Sequence, residues 1–401
     1  MTVTKFIIFT VLFSFSISNI STVGINAADW TLYRGDAGAS GQIDVTETLG
    51  DKLNIVWECR SEKGYFQATP IVVGNSVFIG SSDEGMWSVD LQTGKPKWKW
   101  HPITGIVEIA APAAYFDGLV FVGDIAGTLY ALDAESGVEK WSFNTKGTID
   151  NSPNIDIQTK RVLIGSQHGT LFALEAATGK MVWEYKTDDQ IRCFPSIVGR
   201  HCFVAGCDTH LHIIDLDSGK GIHRIPLEAP TGSTPLLAGD YVFVGTEGNE
   251  FLAIDWKKEK VMWRFPMKQA VRSPAAYREG IVIFGGMDKT VYALDAQIGE
   301  ERWKFNTKGR IEGGAIIVGN KVYIPSTDST LYVLDFQSGK KIGTVELSGK
   351  LSTSPAVASN RILITTEEGI LTCLQSEGDT IKEKITDQEP KPIVPKIEQN
   401  F

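Results

Sequence analysis

Eight times between residues 90 and 375 the chain returns to the same short phrase at nearly even intervals. "LYALDAESGVEKWSF" (129–143) and "VYALDAQIGEERWKF" (291–305) are two of its copies. Aligned, they place Asp90, Asp133, Glu175, Asp215, Asp255, Asp295, Asp335 and Gln375 in one column, spaced 43, 42 and then five times 40 residues apart. A fixed period of this length makes the fold a repeat array, in which each unit buries its faces against its neighbours rather than around a private core.

Within one unit, "VFVGDIAGTLYALDAESGVEKWSF" (120–143) sets β-rich runs around polar turn residues, and "DAESG" precedes a further run that carries Trp141. With the preceding "APAAY" run, each unit has four strands. Such units of about 40 residues are the blades of a propeller arranged around a channel. The alternation of Val, Ile, Phe and Tyr and the Gly and Pro punctuation exclude a helical repeat. The expected fold is all-β, an eight-bladed propeller of four-stranded antiparallel blades. The competing arrangement is seven blades and a stray unit.

Three columns have physical roles. The Asp column can accept backbone N–H groups in the turn. Four residues on, Gly94, Gly137, Gly179, Gly219, Gly299 and Gly339 supply positive φ. Eight residues after the Asp, Trp98, Trp141, Trp183, Trp263 and Trp303 can wedge between blades, with His223 and Gly343 as the exceptions. The last copy lacks an outer strand, whereas "NIVWECR" (54–60) precedes the first full unit and puts Trp57 in the Trp column. The N-terminal strand is therefore expected to complete the last blade and remove the free sheet edges.

The division that follows is an export signal at 1–28, a lead segment at 29–53, the propeller at 54–375 and a charged, Pro-containing tail at 376–401. The signal rests on Lys5 and the short apolar run Phe6 to Phe15, with a cut near Ala27 or Ala28, although an uncleaved anchor is the alternative. No Cys stands near the cut, so no lipid anchor is expected. The tail has too few apolar residues for a blade and reads as disordered. A net charge of −9 without a Lys/Arg block argues against nucleic acid as a partner.

The "YALDAxxGxxxW" pattern resembles the pyrroloquinoline-quinone (PQQ) repeat of quinoprotein alcohol dehydrogenases and of the propeller lipoprotein of the outer-membrane assembly machine. The resemblance covers 54–375. The segment "DWTLYRGDAGASG" (29–41) is similar to the stretch before such propellers, with Trp30, Tyr33, Gly35 and Asp36 in matching places. For the dehydrogenases the resemblance implies PQQ, Ca²⁺, a bonded pair of adjacent cysteines and an Asp base. This chain has no Cys-Cys pair, and its loops are too short to build a cofactor pocket.

The candidate binding residues cluster ahead of a recurring Pro, where inner strands begin. Gln67, Asp150, Arg192 and Glu312 stand three residues before that column, and Asn151 and Arg272 one place later. They are expected to form a polar ring at the channel mouth, either as a binding site or as charges that pair among themselves. Asp150, Asn151 and Glu312 could contribute to a Ca²⁺ site, but hard-oxygen sites need about six or more ligands.

"HCFVAGCDTHLH" (201–212) is dense in imidazole and thiol. Cys202 and His212, however, occupy core columns, which leaves Cys207 and His210 as a partial metal site. Folding the hairpin about Gly199 and Arg200 brings Cys193 beside Cys207 as the candidate disulfide, and Cys373 takes a buried Ala position. The functional expectation is an exported, non-catalytic propeller that binds a protein or peptide, as a monomer or within an envelope complex. The alternatives are a PQQ/Ca-dependent dehydrogenase, or a small-molecule or carbohydrate binder at the channel mouth.

Overall fold

The computed structural model describes residues 29–43, 49–102 and 108–376. The expected export signal at 1–28 and all of the expected tail but Ser376 lie outside them. Every regular element among the described residues is a strand, and none is a helix long and apolar enough to cross a membrane. The strands form eight sheets in a ring, as the repeat predicts, seven of four strands and one, blade 7, of five. Blade 4 is typical: Ser196–Val198, His201–Ala205, His210–Asp215 and Gly221–Pro226 pair antiparallel in sequence order, from the channel outward.

The ring closes as expected. Leu53–Arg60 pairs antiparallel with Ile370–Ser376, with Asn54 opposite Gln375 and Arg60 opposite Ile370, and so supplies the outer strand of blade 8. The last strand runs to Ser376, one residue past the expected boundary. Across the seam, the Arg361 guanidinium donates to the Leu91 carbonyl of blade 1.

Asp90, Asp133, Asp215, Asp255, Asp295 and Asp335 each accept backbone N–H groups within their own turns. At Asp133 the Ser136 amide and hydroxyl hold the carboxyl down to about 2. Each outer strand is bulged one residue before the Trp column, for example between Glu139 and Trp141. The bulge re-aims the indole out of its own sheet toward the next blade. Each indole N–H then donates to the carbonyl that follows the turn Asp of that blade, or Glu175 in blade 3: Trp57 to Leu91, Trp98 to Ala134, Trp141 to Ala176, Trp183 to Leu216, Trp263 to Ala296 and Trp303 to Phe336, at 2.9–3.1 Å. The ring lies against the next blade's turn glycine. At Gly219 a Cβ would come within 2.6 Å of Trp183, and φ is +69°, so both packing and backbone require glycine there.

The lead segment closes one end of the channel. The Trp30 amide and carbonyl bond with those of Val72 at 2.9 Å, and the carbonyls of Thr31, Ala37, Gly38, Ser40 and Gly41 accept the N–H groups of Tyr115, Ile197, Leu237, Tyr277 and Ile317. The segment thus satisfies inner-strand amides that face the axis and have no sheet partner. Within it, Gln42–Ile43 adds a short parallel strand to blade 7.

Candidate functional site

Four residues ahead of each inner strand, the eight blades place Gln67, Ala110, Asp150, Arg192, Gly232, Arg272, Glu312 and Ser352 at equivalent positions. All eight line one cavity of about 220 Å³. Because every blade contributes, this cavity lies on the ring axis, and Tyr33 of the lead segment lines it from the closed end. The structure brings together all six polar residues singled out in the sequence, including Asn151. It also corrects one alignment: Arg272 belongs to the ring itself, because Pro274 stands one residue early in blade 6.

The charges are partly spoken for. Asp150 accepts the Gln167 amide at 2.6 Å and lies 3.8 Å from Arg192. Burial nevertheless pushes its carboxyl above the usual range, against the pull of these donors. Arg272 holds Glu247 through two bonds of 2.8 and 3.2 Å, which raises the guanidinium pKa. Asn151 donates to the carbonyls of Gly165 and Ile191. Two acceptors remain buried without a partner, Asp150 Oδ1 and Asn151 Oδ1. Unpaired buried oxygens cost roughly 1–3 kcal/mol each, so a donor that reached them would bind favourably.

Sequence reasoning missed Arg34. Fully buried, it donates to the carbonyls of Ala275 and Ala315, while Nε and Nη1 have no partner. Burial lowers its pKa to about 10. Its room comes from Gly314, where a Cβ would meet the guanidinium at 2.4 Å. The pair Gly313-Gly314 was the available signal, since other blades carry Thr, Ser, Ala or Phe beside the Pro column.

The His/Cys-rich stretch does not converge. His201 packs on Trp256 at 4.8 Å, Cys202 is buried between blades, and His212 bridges Asp208 (2.7 Å) and Tyr185 (3.0 Å). His210 bonds the Asp208 carbonyl, and Cys207 lies in the turn after the strand, its amide on the Gln190 carbonyl. Among the described residues no three His, Cys, Asp or Glu side chains gather as a metal site would require. The Cys193–Cys207 disulfide is not formed, and all five cysteines are free. The hairpin does fold about Gly199 and Arg200, with Val198 opposite His201. Cys193 instead turns into the core between blades, where its sulfur accepts the Ala205 N–H and burial pushes the thiol up to about 12.

Comparison with known proteins agrees with this architecture. The profile of the family described as outer membrane protein assembly factor BamB matches residues 99–236 and 207–395, and that of the glucose/ethanol/alcohol dehydrogenase β-propeller domain matches 30–160. Among curated proteins, a quinone-dependent alcohol dehydrogenase subunit of Gluconobacter oxydans is 30% identical over 131 residues, which is 27% of this chain and 17% of that protein. The quinohemoprotein alcohol dehydrogenase of Comamonas testosteroni is 29% identical over 148 residues, 33% of this chain and 20% of that protein. The chain thus matches about a fifth of the length of these relatives. In solved structures, BamB from Moraxella catarrhalis superposes with a TM-score of 0.69 at 20% identity, over 82% of this chain and 98% of that one. The Comamonas testosteroni dehydrogenase superposes with a TM-score of 0.75 at 14% identity, over 95% and 84%. At these identities the superpositions speak for the fold alone.

Proposed function

The chain belongs to the β-propeller family described as outer membrane protein assembly factor BamB, and on that premise we propose that it is an exported, non-catalytic scaffold whose channel mouth receives a protein or peptide partner. Residues 1–28 direct its export, and the partner is a component of the cell envelope. One observation carries this reading: a shallow cavity, built by all eight blades and floored by the lead segment, with two buried acceptor oxygens on blade 3 that have no donor. An amide or ammonium group on a protruding loop of the partner supplies that donor.

A second reading is favoured by the dehydrogenase relatives, so the cavity has to be tested against PQQ. About 220 Å³ is below the ~300 Å³ at which cofactor pockets begin. Its aromatic residues, Tyr33 and Phe194, meet edge to face at 64° and form no slot for a planar quinone. Glu312 stands four blades from Asp150 and Asn151, on the opposite side of the ring, so the three do not make a Ca²⁺ site. The residues present do not fit the cofactor.

The two readings part in one experiment. With a photo-reactive residue at Gln67, on the rim, the full chain is expected to cross-link an envelope partner, and Asp150→Ala to lose that product while remaining folded. Saturable binding of PQQ with Ca²⁺, together with dye-linked alcohol oxidation, would sink the scaffold reading.

A further inference from the structure

Strand connectivity puts the channel mouth on one face of the ring and the turns that carry the Asp column on the other. On that second face a cavity of about 440 Å³ opens between blades 5 and 6, lined among others by Tyr241, Phe243, Tyr277, Asp295 and Ala296. The repeat shows how it arises. The residue after the turn Asp faces the first residue of the preceding blade's second strand. In blade 5 that residue is Trp256, packed on His201 at 4.8 Å; in blade 7 it is Phe336, buried in one cluster with Ile281. Blade 6 has Ala296 in the same place, and the volume that its neighbours fill is left between Tyr241 and Tyr277.

Aromatic rings from both blades line this cavity. Tyr277 lies nearly parallel to Phe243 (16°, 6.1 Å), and Tyr241 is tilted by 31° from it at 6.2 Å. The rim is polar but balanced. Asp295 is tied to Arg302 and to the amides of Gln297 and Ile298, and Glu279 is tied to Arg278 at 3.1 Å. Charged ligands therefore find no unneutralised partner, whereas the side chains of Gln297 and Gln337 offer neutral donors and acceptors. A volume within ~300–1,000 Å³, an apolar wall and a few polar groups together make a small-molecule site.

From this gap we infer that the cavity between blades 5 and 6 binds the ring of a neutral saccharide. A pyranose has an apolar C–H face that lies on an aromatic ring, and a rim of hydroxyls that both donate and accept hydrogen bonds. Tyr241 and Tyr277 offer such rings, and Gln297 and Gln337 offer partners for the hydroxyls. The site is independent of the channel mouth and of the partner proposed there.

The test uses the purified full chain and a panel of soluble neutral oligosaccharides, cellotriose, maltotriose and chitotriose, followed by saturation-transfer NMR and calorimetry. At least one is expected to bind saturably, with Tyr277→Ala weakening it about tenfold or more. Ala296→Trp, which copies blade 5, is expected to abolish binding with an unchanged strand spectrum. Tyr241→Ala serves as the second variant should Ala296→Trp fail to fold, and is also expected to weaken binding. Asp150→Ala in the channel should leave it intact. No saturable binding by the folded wild type to any of the three would overturn the inference. So would binding that survives both tyrosine variants, or binding that is lost with Asp150.

Discussion

The junction between blades 3 and 4 and the one between blades 4 and 5 are built from the same columns, yet they are held in different ways. At the first, Trp183 is 8% exposed, donates to the Leu216 carbonyl and rests on Gly219. At the second, the outer strand offers His223, which pairs with Glu259 at 2.9 Å, and Glu259 occupies the glycine position with φ +53°. The missing aromatic reappears nearer the axis as Trp256, also 8% exposed and packed on His201 and Phe203. The difference teaches that both of these junctions keep an aromatic volume between the two sheets, while the column that supplies it is free to change.

The largest effect is expected at the seam, where the closing strand is a whole element. Deleting Leu53–Arg60 strips blade 8 of its outer strand and bares the edge of Ile370–Ser376. Calorimetry should show the single melting transition lost, and gel filtration should show oligomers. Next come the two indoles. Trp183→Ala and Trp256→Ala should each cost about 3–5 kcal/mol by denaturant unfolding. A loss below about 1 kcal/mol for Trp256→Ala would break the equivalence just drawn. Gly219→Ala forces a Cβ onto Trp183 and should cost about 1–3 kcal/mol.

Blade 4 differs again in its buried polar pair. Tyr130, Tyr292 and Tyr332 donate to Asp124, Asp288 and Asp328, whereas blade 4 uses His212 on Asp208. Burial, partly opposed by Asp208, lowers the His212 pKa below its ordinary 6.5. The unfolded chain therefore takes up the proton first. The stability due to neutral His212 is complete above pH 6.5 and is lost as pH falls toward the lowered folded value, by at most ~1.4 kcal/mol per pH unit. Thermal melts from pH 7 to 5 should fall less steeply in His212→Tyr than in the wild type. The smallest effect belongs to the half-exposed pair at the second junction: His223→Ala should cost under about 1 kcal/mol at neutral pH.

Much of the site was legible because a repeat converts sequence period into radial position. Gln67, Asp150, Arg192 and Glu312 meet at one mouth for no reason other than holding the same place in successive blades. Arg272 was read one place off, since a column anchored on Pro274 slips where the Pro itself has moved. Cys193 and Cys207 were matched by hairpin register, but register does not say which way a side chain turns, and the apolar space between blades took the Cys193 sulfur. Arg34 gave no periodic signal at all, because it lies before the repeats and meets its carbonyl partners about 240 and 281 residues later.

By itself the sequence determined the blade, the number of blades and the strand that closes them, because these follow from periodic burial and turn chemistry within some forty residues. Tertiary structure alone decided which carbonyls the lead segment offers to the inner strands, where Arg34 is buried, and where Ala296 leaves a gap. Those outcomes depend on how side chains from distant blades share one volume, and no local pattern encodes that.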